Sequence, residues 1–139
     1  MKEHNISLEH IDGMAFKTEV DGHELILDAE ADFGGKDRGP RPKPLLLVSL
    51  LGCTGMDVIS LLGKMRVDYE DFKVKARGNL AEEHPMYYTK IHLEYHIWGK
   101  NVDKEKVEKA VALSTERYCG VHYMLSKSST VSHEIIYHQ

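Results

Sequence analysis

The sequence predicts an α+β fold, and three observations carry that expectation. Apolar–polar alternation runs through residues 4–30 and again through 69–99. A long, almost wholly apolar segment separates the two. A second, amphipathic helical pattern then precedes a closing strand-like run. The order strands, helix, strands, helix, strand is not the repeated strand–helix–strand wind of a parallel α/β protein. At 139 residues the chain is expected to form a single domain, 1–139. A hydrophobic content of 42% with 29% charged residues fits a soluble protein. The net charge of −4 speaks against an electrostatic nucleic-acid binder, which presents a basic face. Met1-Lys2-Glu3-His4-Asn5 does not open an apolar leader, so no secretory signal is expected. Two cysteines are too few for a disulfide scaffold, and a cytoplasmic pair is catalytic, redox-active or simply buried.

The first strands lie within residues 4–30, punctuated by Gly13 and by Asp21-Gly22, an Asp-Gly hairpin signal. His23–Asp28 is the best strand of the group. Phe33–Lys43 is a loop rich in glycine and proline, with Lys36, Arg38, Arg41 and Lys43 close together.

A helix is predicted from about Pro44 to Met65, with Pro44 suited to its first turn. It is long enough to raise the question of a membrane span. Asp57, Ser60, Lys64 and several glycines count against one, and the expectation is the central helix of a soluble core with no membrane partner. Ser49, Cys53, Asp57, Ser60 and Lys64 recur at spacings of four, four, three and four. Cys53 therefore lies on the single polar stripe of a greasy helix, which must face a cavity, an interface or water. Gly52 and Gly55 flank it and would allow a close approach. A buried structural thiol is the competing reading.

Two long strands follow within 69–99, joined by Ala81–Pro85. Phe72, Val74 and Ala76 alternate with charged residues, as do Ile91, Leu93, Tyr95 and Ile97. This is the pattern of an antiparallel sheet covered on one face. Its other face carries Lys90, His92, Glu94 and His96. Alternate exposed positions produce such a group without any ligand role, so no metal site and no cofactor is expected.

Asp103 is a good N-cap for the second helix, with Val102 and Val107 as a hydrophobic staple. Val107, Ala110, Val111 and Ser114 form its narrow buried face. Tyr118-Cys119-Gly120 interrupts the pattern, Val121, Met124 and Leu125 suggest a short further helix, and Ser128–Tyr137 is the closing strand. Cys53 and Cys119 thus fall on two separate helices, as a redox pair held inside a pocket would.

Gly52-Cys53-Thr54-Gly55-Met56-Asp57-Val58, the following Leu61–Arg66 and Tyr118-Cys119-Gly120-Val121 resemble the OsmC/Ohr family, in particular its small OsmC-like branch. The resemblance extends over nearly the whole chain. It implies an intertwined homodimer in which antiparallel sheets wrap long central helices. That agrees with a helix too apolar for one small chain to cover. It also implies thiol-dependent reduction of hydroperoxides, a role in oxidative stress defence, with Cys53 peroxidatic and Cys119 resolving. The disulfide would be reopened by a dithiol reductant. Family peroxidases place a glutamate nine positions before the first cysteine, where this chain has Pro44. They also use an arginine from the N-terminal strands, and residues 1–37 contain none. Arg38 and Arg41 are the nearest candidates to favour the thiolate, with Lys17 behind them. Asp57 would oppose the thiolate unless paired. The alternative is a non-catalytic dimer that binds an apolar ligand in its interface cavity.

Overall fold

The computed structural model describes residues 2–139. The chain packs as two compact units, Met1–Leu46 and Leu47–Gln139. Together their elements make the expected α+β fold, with two three-stranded sheets.

The first unit is an antiparallel meander of β1 (Leu8–Asp12), β2 (Ala15–Val20) and β3 (His23–Leu27). At the second hairpin Asp21 and Gly22 both take positive φ, 52° and 82°. This is the turn geometry whose twist matches the flanking strands. A 3-10 turn, Ala31–Phe33, follows, and then the basic loop. That loop is tied to one side chain. Asp28, 3% exposed, accepts from the backbone N–H of Ala29 at 2.8 Å and of Lys36 and Arg38 at 3.2 Å each. Glycine is required at two points of this fold-back. A Cβ on Gly35 would lie 1.8 Å from the Ala29 carbonyl oxygen, and one on Gly39 would lie 2.0 Å from that of Ile26. Both are impossible approaches for any side chain.

The second unit is built on α1 (Pro44–Lys64), whose first three residues belong to the unit before. Leu50, Thr54, Val58 and Leu62 are its buried residues, each four after the last, so a single narrow stripe is covered. That stripe packs with Ile91, Leu93, Tyr95 and Ile97 of β5 (Tyr88–Trp98) and with Val107, Ala110 and Val111 of α2 (Lys104–Leu113). β4 (Asp71–Leu80) pairs antiparallel with β5 over the whole length expected. β6 (Thr130–His138) departs from the antiparallel expectation, because it runs parallel to β5, with Tyr95 opposite Ile135. The reason lies in the connection. The chain leaves the end of β5, crosses through α2 and returns to the start of that strand, so it can only lie parallel.

Asp103 caps α2 as expected, its carboxylate accepting from the Lys106 N–H at 3.3 Å. The helix then loosens into one π-helical turn, Ser114–Tyr118, before α3 (Gly120–Leu125). By length and composition α1 could cross a membrane, and only 22% of its most apolar stretch is buried within the chain.

Candidate active site

Helix α1 presents Cys53 and Asp57 one turn apart, on one face. The partner thiol arrives by a different device. In the π-helical turn the Cys119 N–H donates to the Ser114 carbonyl, five residues back, at 2.8 Å. The chain then opens at Cys119 (φ −78°, ψ 100°) before α3 begins. A single π turn widens the helix by one residue and so rotates the next side chains about its axis. Here the result is that the two sulfurs and a carboxylate oxygen of Asp57 all lie within 4.8 Å of one another. Cys119 therefore sits at the break between two helical segments, where the sequence pattern is interrupted, and not within a helix. It is the residue that caps α3, its sulfur accepting from the His122 N–H at 3.3 Å. Both thiols are free; Cys53 is half-buried and Cys119 is 3% exposed.

A line of buried hydroxyls supports this cluster. Ser114 Oγ donates to Asp57 Oδ2 at 3.0 Å. Thr54 Oγ1 lies 2.8 Å from Ser114 Oγ and 2.7 Å from Tyr95 Oη. Each hydroxyl has one proton to give. Since Ser114 spends its proton on Asp57, Thr54 must donate to Ser114 and Tyr95 to Thr54. The chain of donors thus runs one way and ends on the carboxylate, each bond polarising the next. Burial pushes the Tyr95 phenol up to about 12, with the Thr54 hydrogen bond opposing it and Cys119 and Asp57 adding to the rise. Tyr95 is accordingly a donor at any physiological pH. Burial also pushes the Cys119 thiol up, and the contact with Cys53 and the Asp57 charge push it in the same direction. The His122 N–H opposes them. Cys119 is therefore held as a neutral thiol.

A cavity of about 350 Å³ adjoins the carboxylate, lined by Asp57, Ser60, Leu61, Lys64 and Tyr118. The polar stripe of α1 does face a polar space there. On the neighbouring side of the helix, Leu51, Gly52, Gly55, Met56, Ile59 and Phe72 line an apolar groove of about 450 Å³.

The structure thus brings Cys53, Cys119 and Asp57 together. Arg38 and Arg41 belong to the first unit, where their guanidinium groups have carboxylate partners. Arg38 spans two of them, Nε donating to Asp28 at 3.1 Å and its terminal nitrogens to Asp12 at 2.7 and 3.0 Å. Arg41 pairs with Asp37 at 2.5 Å and donates to the Gly39 carbonyl at 3.0 Å. Lys17 lies on β2. On the second sheet, His96 engages Glu94 at 2.9 Å and His138 at 2.8 Å, while His92 engages Ser132 and Glu134 at 2.8 and 3.1 Å. Sequence reasoning missed the roles of Thr54 and Tyr95. A signal existed for Tyr95: it interrupts the aliphatic run of Ile91, Leu93 and Ile97 on the apolar register of β5, and a buried tyrosine needs a partner for its O–H.

Fold and site together define a small dithiol protein, with two thiols from distant parts of the chain held against one carboxylate. The family described as OsmC-like protein matches residues 34–134. Protein YhfA of Escherichia coli K12 is 34% identical over 124 residues, covering 88% of this chain and 90% of that protein. The chain belongs to the OsmC-like family. A hypothetical protein from Aquifex aeolicus VF5 has the same fold over 100% of both chains, with 33% identity and a TM-score of 0.83. An organic hydroperoxide resistance protein, OsmC, from Legionella pneumophila shares the fold alone, at 15% identity, a TM-score of 0.71 and coverage of 98% of this chain and 99% of its own.

Proposed function

We propose that this protein is a thiol-dependent hydroperoxide reductase, with Cys53 the attacking cysteine and Cys119 the resolving one. The observation that carries the reading is the asymmetric thiol pair within 4.8 Å. The half-buried sulfur can meet a substrate, while its buried neighbour is held neutral. In the first step the Cys53 thiolate attacks one peroxide oxygen. An S–O bond forms, the O–O bond breaks, and the departing alkoxide takes a proton and leaves as an alcohol. The sulfur has lost two electrons and is a sulfenic acid. Cys119 then gives its proton to the departing oxygen as the disulfide forms and water leaves. While neutral, Cys119 does not compete for the peroxide, and it becomes the attacking sulfur only as its proton leaves for the departing oxygen. An external dithiol returns two electrons and restores the pair.

The working unit in this reading is a cytoplasmic homodimer of single 1–139 domains, with no membrane or nucleic-acid partner. Support comes from the bare side of α1, where Met56 is 76% and Val48 60% exposed. A second copy is the cover that a helix of this composition calls for. Arg38 and Arg41 remain the candidates to stabilise the thiolate. The guanidinium of Arg38 is planar and held at two carboxylates, so it is oriented in advance.

The test is a stoichiometric pulse of hydroperoxide followed by mass spectrometry. A Cys53–Cys119 disulfide formed within the pulse supports the reading. Two free thiols with peroxide unconsumed would overturn it, in favour of a dimer that binds an apolar ligand.

A further inference from the structure

We propose that the reduced Cys53–Cys119–Asp57 cluster binds one thiophilic divalent cation, Zn²⁺ in the first instance, and that metal occupancy and peroxide chemistry exclude each other. The second half of the proposal rests on the peroxidase reading; the first half rests on geometry alone. Two thiols and a carboxylate are a ligand set that suits Zn²⁺, with three protein donors and a fourth position for water. Sulfurs bound to tetrahedral Zn²⁺ at about 2.3 Å stand about 3.8 Å apart. The three donor atoms here already lie within 4.8 Å of one another, so small side-chain adjustments suffice. The cavity lined by Asp57, Ser60 and Lys64 offers room for the water.

The surroundings have the features of an outer shell. Ser114 donates to Oδ2 of Asp57 at 3.0 Å, which leaves Oδ1 for a cation and fixes the carboxylate plane. The hydroxyls of Thr54 and Tyr95 stand behind Ser114 and hold it in turn. A cation would compensate the negative charge of two sulfurs and a carboxylate, and it would displace both thiol protons to solvent. The histidines of the outer sheet face do not compete in the same way, because His96 and His92 each engage neighbours through both ring nitrogens.

Exclusion is a matter of electron pairs. Coordination draws electron density from the Cys53 sulfur and makes its remaining pairs poorer nucleophiles towards the peroxide. Conversely, oxidation by a hydroperoxide removes two electrons from the sulfurs, joins them and leaves a disulfide that no longer ligates. The peroxide is reduced to alcohol and water, and the cation departs.

The experiment uses full-length protein, reduced and stripped of metal with a chelator. It is titrated with Co²⁺ as a spectroscopic probe, and with Zn²⁺ in competition with a chromophoric chelator. One ion per chain is expected, with thiolate-to-Co²⁺ charge-transfer bands. Binding should vanish in Cys53→Ser and in Cys119→Ser and weaken by about tenfold or more in Asp57→Asn, at least the loss that follows when an outer-shell partner of a metal ligand is changed. The disulfide form of the unaltered chain should bind none, a control that needs no variant to fold. No binding at micromolar metal, or full binding retained by the oxidised protein, would overturn the site. Disulfide formation by hydroperoxide should be at least about tenfold slower with Zn²⁺ bound than in the stripped protein. Equal rates would overturn the exclusion. A stripped protein that binds Zn²⁺ but forms no disulfide would sink the peroxidase reading and leave the metal site standing.

Discussion

Cys53 and Cys119 carry the same functional group and are set apart by their surroundings. Burial, the neighbouring sulfur and the Asp57 charge all oppose ionisation of Cys119. Cys53→Ser should therefore abolish peroxide consumption. Cys119→Ser should allow one turnover and leave a sulfenic acid on Cys53 that a dimedone-type reagent traps; the opposite pattern would reverse the assignment. The hydroxyl line makes a prediction about stability. Thr54→Val keeps the shape but leaves the Tyr95 O–H without an acceptor, at a cost of about 1–3 kcal/mol. Tyr95→Phe removes the donor instead and should cost about 1 kcal/mol. The double variant should be more stable than Thr54→Val alone, because no buried donor is then left unpaired. Urea unfolding at one protein concentration checks all three, and a double variant less stable than Thr54→Val would refute the one-way donor order.

Among the elements, the loop between β3 and α1 is the one with a built-in response to pH. Burial alone would raise the Asp28 carboxyl, but the Arg38 guanidinium and the N–H groups of Ala29, Arg38 and Lys36 outweigh it and hold it at about 2, below its ordinary 3.8. A carboxylate depressed on folding stabilises the fold above its unfolded value and ceases to do so as pH falls through the folded one. The loop should therefore stay latched above about pH 4 and loosen towards pH 2. In NMR spectra the Lys36 and Arg38 amides should titrate with a midpoint of about 2, and Asp28→Asn should abolish that titration. The same variant separates two roles for Arg38. Should Arg38→Ala slow Cys53 oxidation while Asp28→Asn does not, the guanidinium acts on the sulfur. Equal slowing would mean that it acts only through the loop.

For the whole molecule the decisive fact is how little of α1 its own chain covers. Leu46, Val48, Met56 and Ile59 are between 40% and 76% exposed, all on a helix whose buried stripe is one residue wide. Burying each such side chain is worth about 1.5–3 kcal/mol. Sedimentation at low micromolar concentration should accordingly show a dimer without folded monomer. Met56→Glu should lower the dimer's stability steeply, since it would place a charge where an apolar partner belongs. A stable, soluble monomer of the unaltered chain would remove the basis for the dimer.

Much of this protein was legible from local pattern. The Asp21-Gly22 hairpin, the start of α1 at Pro44, the Asp103 cap and the alternation of β5 each arise from residue type and spacing, and the structure has each of them. The two cysteines stood out for the same reason: one sat on a polar stripe and the other at a break in a helical pattern. Spacing could not supply anything set by contacts between distant parts of the chain. The parallel pairing of β6 depends on the crossover through α2. The three-atom cluster of Cys53, Cys119 and Asp57 depends on a π-helical turn that no residue type demands. Thr54, Ser114 and Tyr95 come from three separate elements, and each reads as a small or aromatic core residue until the fold buries their hydroxyls against one another. Local sequence determines which elements form because propensity and periodicity act over a few residues. Tertiary packing alone decides which donors, sulfurs and charges meet, because that depends on closing loops tens of residues long.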